Sequence, residues 1–149
     1  MRNYNIFLTV GSQKQKMLCD KILSTTGIAD NYSITVISDD DSGFRLGSGG
    51  AVLNIIHRYY KSGEKMLIIN SGGMSKRSVN YAVRGKAFAN VLHNDNVISL
   101  LELIIINAER IVANMSSGVL ICCSDILVKT DNLPLSFSES TRRDSNPRP

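Results

Sequence analysis

Met66-Leu67-Ile68-Ile69, followed at once by Asn70-Ser71-Gly72-Gly73, decides how this chain is read. Four consecutive apolar residues form a run of strand length without alternation, the pattern of a parallel strand covered on both faces. The polar residues and glycine pair after it mark the end where the strand empties into a loop. Working outward, residues 5–10 (NIFLTV) read as a strand and residues 33–38 (SITVIS) as a second, rich in β-branched side chains. Between them Ser12 with Gln15 makes a capping-box pattern, opening a helix with Leu18/Ile22 and Cys19/Leu23 on one side and Gly27 at its stop. Residues 39–50 form a polar, glycine-dense loop, and Ala51 to about Tyr60 predicts a helix. After an irregular polar stretch to Gly85-Lys86, residues 97–113 predict the strongest helix, with Leu101, Ile105, Ala108 and Val112 at helical spacing. Residues 118–123 (GVLICC) predict another buried strand. Strands alternating with helices give an α/β fold with an open, largely parallel sheet.

The chain has 149 residues, enough for one domain that buries roughly two-thirds of its unfolded surface. With 43% hydrophobic and 20% charged residues it is a globular composition. Net charge is +4, but the cations are scattered and there is no Trp, so no stacking, basic face for nucleic acid is expected. Three Cys, two of them neighbours at Cys122-Cys123, imply no disulfide framework and fit a reducing compartment. His57 and His93 are the only histidines, and no Cys/His set has zinc-ligand spacing. The apolar stretch after Asn5 is too short for a signal segment. The run from Val97 to Val112 is broken by Glu102, Asn107, Glu109 and Arg110, which argues against a membrane span. A cytoplasmic location is expected. Periodicity stops after Asp131, so residues 132–149 are expected to form a disordered tail behind a domain over residues 1–131.

In open parallel sheets, ligands bind beyond the C-terminal strand ends. Three features fall there. Arg45-Leu46-Gly47-Ser48-Gly49-Gly50-Ala51 offers close backbone approach and a helix start that favours an anion; the same residues would also serve as a flexible turn capping the helix. Asn70-Ser71-Gly72-Gly73-Met74-Ser75-Lys76-Arg77, continued to Gly85-Lys86, could wrap a polyphosphate, with Arg77 and Lys86 neutralising charge, or form an exposed basic loop. Asp125, directly after GVLICC, could hold Mg²⁺ against phosphate oxygens or cap a turn. Asp39-Asp40-Asp41 is a weaker metal candidate. Neither the Walker A nor the GxGxxG pattern is present. His57, Cys122, Cys123, Glu102 and Glu109 read as structural or surface positions, not catalytic ones.

With these segments in hand, the sequence resembles the fucose-1-phosphate guanylyltransferase / L-fucokinase family. The carrying stretches are RLGSGGAVLN (residues 45–54), LIINSGGMSKR…GKAF (residues 67–88) and GVLICCSDIL (residues 118–127). The resemblance implies an incomplete Rossmann-like fold of the sugar-nucleotidyltransferase (GT-A) type. It implies transfer of GMP from GTP to L-fucose 1-phosphate, giving GDP-fucose and pyrophosphate. By that likeness Gly47, Ser48, Gly49 and Gly50 flank the nucleotide, Gly72, Gly73, Ser75 and Arg77 line the triphosphate, Lys86 neutralises it, and Asp125 takes Mg²⁺. Arg77 and Lys86 would be the catalytic cations. Ser78-Val79 stand where the family commonly shows Leu-Pro, and the tail after Asp131 departs from the family pattern, so a truncated copy is expected. Such a copy would leave a strand edge and an apolar patch open to self-association. The alternative functions are a non-catalytic GTP-binding fragment, paired with a full-length copy, and a kinase of unknown type.

Overall fold

The computed structural model describes residues 3–40, 43–71, 85–124 and 126–127. In chain order these form β1 (Tyr4–Val10), α1 (Gln13–Thr25), α2 (Ile28–Asn31), β2 (Ile34–Ser38), α3 (Gly47–Tyr59), β3 (Lys65–Asn70), β4 (Asn90–His93), β5 (Asn96–Ser99), α4 (Leu100–Asn114) and β6 (Gly118–Cys123). A short 3-10 turn, Lys86–Phe88, precedes β4. Strands β2, β1, β3 and β6 lie side by side in that order, every pair parallel. The expected α/β class with an open parallel sheet is therefore what the chain adopts.

The unbroken apolar runs explain the layering. Met66, Leu67, Ile68 and Ile69 of β3 are each 0% exposed, because alternate residues feed two separate cores. Ile6, Leu8, Val36, Leu67 and Ile69 meet Cys19 and Leu23 of α1 and Leu101, Ile105 and Val112 of α4 on one face. Phe7, Ile37, Met66 and Ile68 meet Val52 and Ile55 of α3 on the other. Each fully buried side chain of this size contributes about 1.5–3 kcal/mol. From β1 the chain leaves over one face through α1 to β2, then returns over the other face through α3 to β3, on the far side of β1. The chain leaving β1 goes to β2 on one side and the chain leaving β3 goes on to β6 on the other, so they part at the C-terminal ends of β1 and β3, which is where such a sheet opens a crevice.

Helix starts follow local chemistry. Ser12 Oγ accepts from Gln15 N at 3.3 Å while Gln15 Oε1 accepts from Gly11 N at 2.9 Å, close to the expected capping box. Three expectations need correction. The glycine stretch is not a loop ahead of the helix: α3 begins at Gly47, so Gly47, Ser48, Gly49 and Gly50 are its first turn. The strongest helix begins at Leu100, not Val97, because β4 and β5 form an antiparallel hairpin that runs to Ser99. Its two-residue turn, Asn94-Asp95, has φ of 48° and 62°, left-handed values that Asn and Asp tolerate. Ser99 then caps α4 in a complete capping box with Glu102, so Glu102 is a structural position. Glu109 accepts the Tyr4 hydroxyl at 3.1 Å. The third correction concerns β6. Its apolar run reads as buried, yet Ile121 is 50% exposed, because β6 lies at an edge of the sheet and α3 packs on β1, β2 and β3 instead.

Candidate functional site

Strands β1, β2 and β3 each carry a polar residue at or beside their C-terminal end, on the face that α3 covers. Thr9 is the penultimate residue of β1 and Asn70 closes β3, and they are neighbours in register. Asp39 follows β2 directly, its N–H donating to the Val10 carbonyl at 2.7 Å and so extending the ladder by one residue. Together with Arg45 and with Gly47, Ser48 and Ala51 at the start of α3, these residues line a pocket of about 160 Å³.

Asp39 organises the rim. The residue is buried, and its carboxylate Oδ1 accepts from Leu46 N at 3.0 Å while its carbonyl accepts from the same N–H at 3.3 Å. Oδ2 lies 3.6 Å from Arg45 Nε, an ion pair half-open to solvent on the arginine side. Both ends of the connection from β2 to α3 are thereby tied to one side chain, which fixes where α3 starts. Gly47 enters the helix at φ 72°, left-handed backbone that a side chain would strain. A Cβ on Gly50 would stand 2.7 Å from Leu46 Cβ, so this position admits only glycine unless Leu46 moves. α3 has no side-chain cap and no acidic residue in its first turn, which leaves its first N–H groups for an incoming acceptor. Across the pocket the Thr9 hydroxyl donates to Asn70 Oδ1.

The surroundings tie this rim to the segments on either side. Ser71 N donates to the Thr9 carbonyl at 3.1 Å, so the chain leaves β3 at the pocket's edge. Ser124 N donates to the Asn70 carbonyl at 3.0 Å, bringing the end of β6 to the same level. Of the sequence-predicted site residues, Gly47 and Ser48 line the pocket, while Gly49 and Gly50 lie in the first turn of α3 behind them. Lys86 opens the 3-10 turn and is not among the lining residues. Gly72, Gly73, Ser75, Arg77 and Asp125 lie outside the described residues. The reading of Gly47–Gly50 as a plain phosphate cradle also changes, because Asp39 puts a carboxylate into the pocket and holds the nearby Arg45 charge.

Thr9 and Asn70 were not singled out by the sequence reading as site residues, and Asp39 only as a weak metal ligand. The signal available was the polar residue at or beside the end of each apolar run, all three on one face. Among the described residues no group of three or more His, Cys, Asp or Glu is placed to hold a metal ion. Two thiols are held protonated at neutral pH: burial, helped by the neighbouring Asp20, pushes Cys19 up to about 11, and burial raises Cys122. His57 sits in the last turn of α3, where a cation complements the helix end. No helix among the described residues is long and apolar enough to cross a membrane.

Comparison with known proteins reaches this pocket through β3 and Asn70. The model of the fucose pyrophosphorylase domain matches residues 62–143, which include β3, the hairpin, α4 and β6. The chain is 27% identical over 132 residues to fucose-1-phosphate guanylyltransferase of Homo sapiens, covering 80% of this chain and 21% of that protein. To the Mus musculus protein of the same name it is 26% identical over 129 residues, covering 80% of this chain and 22% of that protein. The chain thus spans about a fifth of the length of these relatives. No solved structure matches it.

Proposed function

The chain belongs to the fucose pyrophosphorylase domain family, and on that premise we propose that it is a nucleotidyltransferase-type unit that binds GTP beyond the C-terminal ends of β1, β2 and β3. The reaction proposed for the site is transfer of GMP from GTP to L-fucose 1-phosphate. The observation that carries this reading is the pocket itself: Thr9, Asp39 and Asn70 at three strand ends, facing the uncapped start of α3. That is the crevice in which sheets of this connectivity take ligands.

In the proposed reaction a phosphate oxygen of the sugar phosphate attacks the α-phosphorus of GTP in line. One P–O bond forms, the α–β bridge breaks, and pyrophosphate leaves with the electron pair. No protein nucleophile is needed, which agrees with the raised Cys19 and Cys122 thiols. The protein's work is positioning and meeting developing charge. Arg77 and Lys86 are proposed as the cations that do so, with Gly72, Gly73 and Ser75 beside the phosphates. Mg²⁺ would supply charge neutralisation at those oxygens. Asp125 is the residue proposed to hold it.

A second reading is a unit that binds GTP without turnover. Thermal unfolding with and without Mg²⁺ and GTP, followed by a pyrophosphate-release assay, tests both. At about 100 times Kd a ligand specific for the folded chain adds roughly 2.7 kcal/mol. A raised melt, reduced in Lys86→Ala, with pyrophosphate released only when L-fucose 1-phosphate is present, supports the transferase. The same shift without release supports the binding unit. No shift in the wild-type chain contradicts both.

A further inference from the structure

Two side chains in the pocket keep hydrogen-bonding capacity, and of opposite kind. Asp39 is 6% exposed, and its Oδ2 has only the Arg45 guanidinium at 3.6 Å, beyond hydrogen-bond reach. Asn70 spends its Oδ1 on the Thr9 hydroxyl, so its Nδ2 hydrogens are the part of the amide left to use. The Asp39 carboxylate can take further donors beyond the one from Leu46. A phosphate would meet the Asp39 carboxylate as a like charge. A ligand that presents N–H groups to Asp39 and a carbonyl to Asn70 satisfies both at once.

Resting on the nucleotide reading above, we infer that Asp39 and Asn70 select the base of the nucleotide. Guanine carries N1–H and the 2-amino group side by side, with O6 next to them. Asp39 accepts from the first two and Asn70 Nδ2 donates to O6. Adenine offers an N1 lone pair to the carboxylate and an amino group to the amide donor, so both contacts turn repulsive. Xanthine keeps N1–H but sets a carbonyl in place of the 2-amino group, against the carboxylate. The start of α3 then flanks the base, and the phosphates extend toward the chain that leaves β3. A site built on buried polar groups rejects a ligand that leaves them unpaired far more strongly than an apolar pocket rejects a missing methylene.

Equilibrium titration of the 149-residue chain with GTP, ITP, XTP and ATP, each with Mg²⁺, tests the inference. GTP is expected to bind at least about tenfold more tightly than XTP or ATP, with ITP between them, since one charge-assisted hydrogen bond corresponds to about that ratio. Asp39→Asn keeps an oxygen for Leu46 and presents an amide, so preference is expected to pass from GTP to XTP. Asn70→Ala, a second variant that leaves Asp39 intact, is expected to narrow the ratio of GTP to ATP several-fold; circular dichroism melts report whether each variant is folded. Binding of GTP, XTP and ATP within twofold of one another would overturn the inference while leaving the nucleotide reading standing. So would unchanged ratios in both folded variants. Failure of the wild-type chain to bind any of the four removes the nucleotide reading and this inference with it.

Discussion

Strands β3 and β6 carry almost interchangeable apolar runs, Met66-Leu67-Ile68-Ile69 and Val119-Leu120-Ile121-Cys122, and they pair with each other residue for residue. Ile68 and Ile121 are register partners on the same face of the sheet, yet one is 0% and the other 50% exposed. The difference lies in position, not in sequence. β3 has a strand on each side and helices on both faces, whereas β6 is at an edge beyond the reach of α3; β2 is an edge too, yet α3 covers it and its Ile37 is buried. An apolar run states what a strand can tolerate on its faces; the order of strands decides what it receives.

The sharpest way to break this comparison is to truncate both members of the register pair. Ile68→Ala should destabilise the fold by about 3 kcal/mol, the cost of a cavity between β3 and α3. Ile121→Ala should cost under about 1 kcal/mol, since half its side chain is already in water. Urea unfolding of the two variants measures both values, and equal losses would mean that β6 is as enclosed as β3.

The thiols sharpen the contrast by titration. Cys19 is buried in the core between α1 and the sheet, with its acidity suppressed to about 11 from an ordinary 9.0. The folded chain therefore keeps this proton where the unfolded chain loses it. Stability is unaffected below pH 9 and falls as pH rises from 9 toward 11, by roughly 2 kcal/mol in all. Unfolding measured across that range should show the decline in the wild-type chain and a flatter profile in Cys19→Ala.

A smaller effect probes the helix that covers one face of both strands. Ser99→Ala removes the hydroxyl that accepts from Glu102 N at 3.1 Å and should cost about 1 kcal/mol. Glu102→Gln, which keeps an acceptor for Ser99 N, should cost less. Thermal melts of the two variants give the order.

Much of this architecture was legible in residues 5–10, 33–38 and 66–69, because unbroken apolar runs between turn-forming residues have few other solutions. The start of α1 was legible for the same reason, since Ser12 and Gln15 act within one turn. The hairpin was not. Its strands are only four residues long, and Val97 and Ile98 continue the helical apolar pattern into α4, so periodicity alone runs the helix backward through β5. Asn94-Asp95 was the signal against it. The site was half legible: the glycines at 47–50 pointed to the right strand end, but their being the first helical turn depends on Asp39 reaching Leu46 across seven residues. The Thr9–Asn70 pair spans 61 residues and exists only once β1 and β3 lie side by side.

The central claim is that a guanine nucleotide sits beyond the ends of β1, β2 and β3. Backbone amide NMR during a GTP titration with Mg²⁺ locates the ligand residue by residue. The account predicts the largest shifts at Val10, Asp39, Leu46, Ser48, Asn70 and Ser71, with little change along the open side of β6. Shifts concentrated in the apolar groove between α4 and β6, near Ile111 and Ile121, or no shifts at saturating GTP, would contradict it.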